Sequence, residues 1–190
     1  MIFKSNFFRR KAPVLARDLL GSILVTEVDG LRTSGRIVEV EAYRQDEPAS
    51  HCYGGKTERN KSMFLPGGHL YVYLSYGIHY CANIIAGVEG YGEAVLIRGI
   101  EPIEHIEIMR ERRGNRVRDR DLANGPGKLT QALGINLSHD GIDLLSTTGP
   151  VHLLPGEPVP DSQVRQTPRI GITKAIELPW RWVMSSQKNK

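Results

Sequence analysis

Arg36-Ile37-Val38-Glu39-Val40-Glu41-Ala42-Tyr43 is the stretch from which the fold is read. Side chains of a strand point alternately to its two faces, so Val38, Val40 and Ala42 are expected on one side and Ile37, Glu39, Glu41 and Tyr43 on the other. The first face reads as core, and the second carries carboxylates beside an aromatic ring. Working backwards, Asp29-Gly30 is a favoured two-residue hairpin turn, which makes residues 22–28 the partner strand. Before that, Pro13 suits a first helical turn, Leu15, Leu19 and Leu20 form an apolar stripe, and Gly21 is a natural stop. Working forwards, residues 70–75 repeat the strand pattern, with Val72 and Leu74 opposite Tyr71 and Tyr73. Residues 94–98 form a third strand of this kind. Glu101-Pro102 is expected to open a helix carrying Ile103, Ile106 and Met109 on one side and ending at Gly114. Asn124 and Pro126 are expected to cap another helix, running through Leu133 to Gly134. Residues 155–168, with four prolines, read as a surface connection.

A chain of 190 residues and 21.2 kDa suits one domain, residues 1–190, and is long enough to bury a real core. Hydrophobic residues at 40% and charged residues at 24% argue against disorder and coiled coil. No apolar run approaches the roughly 18 residues of a membrane span, and the start lacks the apolar stretch of a signal peptide. The expectation is therefore an intracellular protein without membrane association, cytoplasmic and close to the nucleoid if bacterial. Cys52 and Cys81 are too few for a disulfide framework and lack zinc-site spacing. The net charge of +4 is unevenly spread: residues 110–128 hold seven basic side chains against three acidic, whereas residues 39–47 hold four acids and only Arg44. Such segregation is a mild sign of an anionic partner.

Three constellations could carry chemistry. Glu39 and Glu41 share a strand face close to Tyr43 and His51; alone the pair would suit a solvated edge, but a glutamate beside such groups can activate water while the rings hold a polar base. The run Tyr71 to Tyr80 concentrates four of the seven tyrosines. Ordinary strand packing explains Tyr71 and Tyr80. Tyr76, just before Gly77 where the strand should turn, is a candidate exposed ring suited to stacking on nucleobases. Gly125-Pro126-Gly127-Lys128 lacks the Ser or Thr of a phosphate loop, yet a helix start with a lysine could hold one backbone phosphate. No His-Glu-x-x-His or Gly-x-Ser-x-Gly pattern is present, which disfavours metallohydrolase and serine-hydrolase chemistry.

These segments together resemble the 3-methyladenine DNA glycosylases of the alkyladenine (N-methylpurine) type, shared by bacteria and vertebrates. The resemblance runs in order along nearly the whole chain. It begins with Leu15-Ala16-Arg17-Asp18-Leu19-Leu20-Gly21 and the stretch Arg36 to Tyr43, then Ala49-Ser50-His51, Gly54-Gly55-Lys56-Thr57, Arg59-Asn60 and Met63-Phe64. It continues with Gly68-His69-Leu70-Tyr71-Val72-Tyr73, Tyr76-Gly77, Asn83, Val95-Leu96-Ile97-Arg98, Glu101-Pro102, Gly125-Pro126-Gly127-Lys128-Leu129 and Pro168-Arg169-Ile170-Gly171-Ile172. Two positions depart from it: Glu58 stands where proline is expected and Gly99 where alanine is expected.

The resemblance implies an α+β fold, a single compact domain around a curved antiparallel β-sheet with flanking helices. It implies a monofunctional N-glycosyl hydrolase of base-excision repair, which flips alkylated purines out of duplex DNA and leaves an abasic site. The lesions would include 3-methyladenine and 7-methylguanine, with hypoxanthine and ethenoadenine as further candidates. By the same resemblance Glu41 is the general base that activates water and Arg98 orients the water or the carboxylate. Tyr43, His51 and Tyr73 would line the base pocket, with Asn83 at its wall and Tyr76 intercalated in the gap. Lys128 and Arg169 are expected at DNA phosphates, and Arg112 and Arg113 among the phosphate-contacting arginines. No metal and no organic cofactor is expected, the partner is double-stranded DNA containing damaged purines, and the protein is expected to be a monomer. Two alternatives compete: a non-catalytic nucleic-acid-binding module, in which Glu41 would be incidental, and a hydrolase of free purine nucleosides, which would have no use for Tyr76 or the arginine-rich flanks.

Overall fold

Among the described residues, helix-forming and strand-forming patterns give four short α-helices around one curled, eight-stranded antiparallel sheet. The computed structural model describes residues 3–146 and 148–185. After a single helical turn, α1 (Ser5–Phe8), helix α2 (Ala12–Leu19) starts with Pro13 in its first turn and buries Ala12, Leu15, Ala16 and Leu19. Strand β1 (Ile23–Val28) and strand β2 (Leu31–Arg44) pair through the Asp29-Gly30 turn, in which both residues take positive φ, 54° and 72°. That geometry matches the twist of the two strands and is why an Asp-Gly pair sits there. Strands β3 (Leu70–Ser75), β4 (His79–Ile85) and β5 (Glu93–Glu104) extend the sheet, and β6 (Val151–Leu154) closes the far edge in the order β3-β4-β5-β2-β1-β6.

The long strand β2 organises the rest. Along one edge it meets β5; along the other it meets β1 over its first half and β8 (Arg181–Met184) over Glu39–Glu41. Strand β7 (Val164–Thr167) pairs with β8, so the proline-rich segment expected to be only a surface connection also contains a strand. Helices α3 (Ile106–Arg113) and α4 (Pro126–Leu133) pack with α2 on the core side of the sheet, where Leu15, Leu19, Val40, Val72, Ile97, Met109 and Leu129 share one buried cluster. Each such large apolar side chain contributes roughly 1.5–3 kcal/mol by leaving water.

Three local expectations are corrected. Ile37 belongs to the core, not to the carboxylate face, while Val38 is only half-buried. The cause is a paired irregularity where Glu39 lies opposite Gly99: pairing is regular at Ile37 with Ile100 and again at Val40 with Ile97, and Val38 and Arg98 fall out of step between them. Core residues therefore recur three apart, at Ile37 and Val40 on one strand and at Ile97 and Ile100 on the other. Secondly, Glu101-Pro102 does not open a helix, because β5 continues to Glu104 and α3 starts at Ile106, after a left-handed turn at His105. Beyond Leu96 strand β5 no longer pairs with β4, and such an edge tolerates the missing N–H of Pro102. Thirdly, the residue preceding α4 is Gly125; Asn124 instead bonds through its side chain to Asp121 and Lys128.

Candidate active site

The sheet face opposite the helices, together with two covering loops, encloses a cleft of about 570 Å³. A cleft of that size is in the usual range for small-molecule pockets. Its lining includes Tyr43 from β2, His51 from the loop after it, Tyr71 and Tyr73 from β3, Asn83 from β4 and Arg98 from β5. Ile170 to Lys174 cover it from the segment between β7 and β8. The strand alternation that puts Val72 and Ala82 in the core is what turns these tyrosines and Asn83 to the other side.

Glu41 lies beneath this lining and is completely buried. Its Oε2 accepts hydrogen bonds from the Tyr43 hydroxyl (2.8 Å) and Arg98 Nη1 (3.2 Å), and its Oε1 accepts from the backbone N–H of Ile170 (2.7 Å). A carboxylate offers about four acceptor positions, so one on Oε1 is left over. Burial lowers the pKa of the Arg98 guanidinium, but the charges of Glu41 and Glu39 more than reverse this and raise it overall. Burial first, and the Glu41 charge second, push the Tyr43 phenol far up, so it remains a neutral donor.

The aromatic lining is ordered by its own contacts. Tyr71 and Tyr73 stack at 5.5 Å between ring centres, and the His51 ring stands edge-on to Tyr73 at 4.5 Å. The Tyr71 hydroxyl lies 3.3 Å from His51 Nδ1. Desolvation, then the nearby Arg59 charge, lower the His51 pKa and keep the imidazole neutral at neutral pH. Burial pushes Tyr71 up to about 12, and burial with Cys81 alongside pushes Tyr73 higher still. Asn83 is buried, and its Nδ2 donates to the Tyr71 carbonyl (3.2 Å), which fixes the amide at the wall.

Tyr76 stands at the rim, 90% exposed, at the tip of the β3–β4 hairpin. Tyr76 and Gly77 take φ of 51° and 72°, and Ile78 N donates to the Ser75 carbonyl, which forms a tight turn with left-handed central residues. A tyrosine held there stores strain, and strain of this kind concentrates at functional positions.

Of the residues picked from sequence, Glu41, Tyr43, His51, Tyr73, Asn83, Arg98 and Tyr76 converge on this cleft. Lys128 sits on α4, whose first residue Pro126 touches the cleft edge, and its Nζ donates to Asn124 Oδ1. Arg169 is a correction. Its guanidinium is buried, forms a bidentate pair with Glu47 (2.6 and 3.0 Å), donates to the Ala42 carbonyl and stacks on Tyr43 and Trp180, so it has no face to offer a phosphate. Arg112 and Arg113 are likewise engaged inside the fold: Arg112 donates to Thr33 Oγ1 and the Ala132 carbonyl, and Arg113 to the Leu122 carbonyl and the Gln131 side chain. Tyr71, Arg59 and the Ile170 backbone belong to the site and were not picked. The histidine within reach of Tyr71 lies 20 residues away in sequence. A backbone N–H leaves no signal in residue type.

Known proteins are similar to this chain along nearly its whole length. The family model described as methylpurine-DNA glycosylase matches residues 6–188. A Carboxydothermus hydrogenoformans protein named "Putative 3-methyladenine DNA glycosylase" is 45% identical over 189 residues, covering 99% of this chain and 97% of its own. Proteins of the same name from Methanoculleus marisnigri (45% identical; 99% and 97% covered) and Burkholderia cenocepacia (48%; 93% and 84%) are similar over comparable spans. With the match running from α1 through β8 and the cleft built from the same segments, the chain belongs to the methylpurine-DNA glycosylase family.

Proposed function

We propose that the protein removes alkylated purines, 3-methyladenine and 7-methylguanine first among them, from duplex DNA by hydrolysing the N-glycosidic bond. The observation that carries this reading is Glu41: a buried carboxylate held by three donors, with one acceptor position left, directly under an aromatic cleft. A base stacked in a duplex cannot reach such a cleft, so the nucleotide must be extruded at a cost of a few kcal/mol. Tyr76 would fill the vacated place in the stack and offset part of that cost. An alkylated purine carries positive charge, which favours the aromatic rings of Tyr43 and Tyr73, and the neutral His51 does not oppose it.

In the reaction the electron pair of the C1′–N bond leaves with the base, and positive charge builds on the sugar. The Glu41 carboxylate stabilises that charge and accepts a proton from the water whose oxygen bonds to C1′. Arg98 holds the carboxylate in place, and Asn83 at the wall screens normal purines by shape and hydrogen bonding. The product is the free base and an abasic site. DNA cleavage by the enzyme itself would need an amine nucleophile at C1′, which this mechanism does not use.

The test incubates wild type and Glu41→Gln with a duplex carrying one 7-methylguanine or hypoxanthine, followed by an abasic-site endonuclease at neutral pH. Lesion-dependent breaks are expected with wild type only after the endonuclease, and Glu41→Gln is expected to lose them while still binding the duplex. Tight lesion binding without breaks by either protein would favour a binding module. Turnover of free nucleosides in preference to duplex would favour a nucleoside hydrolase.

A further inference from the structure

Glu39, the second carboxylate on the β2 face, does not line the cleft, and the reaction proposed above makes no use of it. It is nevertheless tightly held. Its Oε1 accepts from Arg98 Nε at 3.0 Å and from Arg181 Nε at 2.7 Å, and Arg181 is anchored in turn by Thr167 Oγ1 at 3.0 Å. All three charged groups are largely withdrawn from water, with side-chain exposures of 16% for each arginine and 20% for Glu39, so their interactions are weakly screened. The paired irregularity of β2 and β5 lies at this point: Glu39 faces Gly99, and Val38 on β2 and Arg98 on β5 are left without partners in the ladder. Irregularities of this kind re-aim side chains, and here the result is that one guanidinium spans two carboxylates.

We propose that Glu39 and Arg181 are positioning residues that act through Arg98. By occupying Nε, Glu39 restricts Arg98 to a single contact with Glu41, through Nη1. An arginine fork left to itself grips a carboxylate with two parallel bonds. Such a grip on Glu41 would consume the acceptor position left on Oε1, which the attacking water needs. Arg181 completes the arrangement from β8, the same C-terminal hairpin whose connecting segment supplies the Ile170 N–H to Glu41. Both outward carboxylates of β2 are thus clamped by the β7–β8 hairpin, Glu39 by its second strand and Glu41 by its connecting segment.

The inference rests on the reading of Glu41 as the reacting carboxylate, and the experiment separates the two. Single-turnover base release and lesion-duplex affinity are measured for Glu39→Gln and Arg181→Gln, each alone and in an Arg98→Lys background, with Glu41→Gln alongside. Glu39→Gln and Arg181→Gln are expected to slow base release roughly 10–100-fold, the scale of a misplaced catalytic contact, with affinity nearly unchanged. In the Arg98→Lys background neither change should slow the reaction further, because the residue they act through is already altered. Equal slowing in both backgrounds, or an unchanged rate in the single variants, overturns the proposal. Full activity in Glu41→Gln would instead remove the reading beneath it.

Discussion

A Cβ added at Gly99 would lie 3.4 Å from Glu39 Cβ and 3.6 Å from Val38 Cγ2, which is ordinary contact, and its backbone is outside the left-handed region. The alanine expected there from the family resemblance therefore fits as well as the glycine present. Gly99→Ala is expected to stabilise the protein by about 0.4–1 kcal/mol, mainly by restricting the unfolded chain, which corresponds to a rise of roughly 1–4 °C in the unfolding midpoint. Base release should be retained, because the carboxylate oxygen that binds Arg98 is Oε1, whereas the oxygen nearest the new methyl is Oε2, at 3.8 Å. A lowered midpoint would mean that the irregularity needs glycine. At this scale Glu41, Tyr43 and Tyr73 were legible because alternation along two strands already put them on one face. Arg169 was not, since residues 163–190 hold six basic side chains against Glu177 alone and a basic residue there reads as surface, whereas its burial depends on Glu47, 122 residues upstream.

At the scale of elements, the β3–β4 hairpin couples fold and activity through one strained residue. Tyr76 takes φ of 51° although it carries a side chain, and nothing buries its ring. Left-handed backbone costs a residue with a Cβ about 1–2 kcal/mol, so Tyr76→Gly should make the fold more stable, with a higher unfolding midpoint. The same change removes a stacking ring, whose loss is worth about 1–3 kcal/mol per base, so capture of a lesion in duplex should fall on the order of tenfold. Capture in single strands, where no stack needs filling, should fall much less. An equal loss on both substrates would take the wedge role from Tyr76. This hairpin was readable from Tyr76-Gly77, as the first was from Asp29-Gly30, because tight turns limit residue choice. The start of α3 was misread because Glu-Pro opens helices and also sits at strand edges, and only the departure of β4 decides which. Strands β7 and β8, four residues each, are too short to show a period.

At the scale of the whole molecule, the question is which cations serve DNA and which serve the fold. Much of the basic segment at residues 110–128 is used internally. Arg110 pairs with Asp119 and Arg118 with Asp121, while Arg112 and Arg113 bind backbone carbonyls that tie α3 to the segments around α4. Burial even lowers the Arg112 pKa. Exposed Arg59 and Lys174, by contrast, line the cleft, and Lys128 sits two residues from Pro126 at its edge. Charge counting along the sequence could find the segment but could not separate these groups, because the separation depends on which carbonyls and carboxylates the fold brings to each arginine. Each cation that neutralises a phosphate contributes about 0.9 to the slope of log affinity against log salt. Replacing Arg59, Lys128 and Lys174 together by alanine should therefore flatten the slope by roughly 2–3 and leave the unfolding midpoint nearly unchanged. Arg112→Ala should do the reverse, keeping the slope and lowering the midpoint, because it leaves the Ala132 carbonyl without its donor. A slope that responds to Arg112 and not to the three cleft-side cations would place the DNA on the opposite side of α4, away from the cleft and Tyr76.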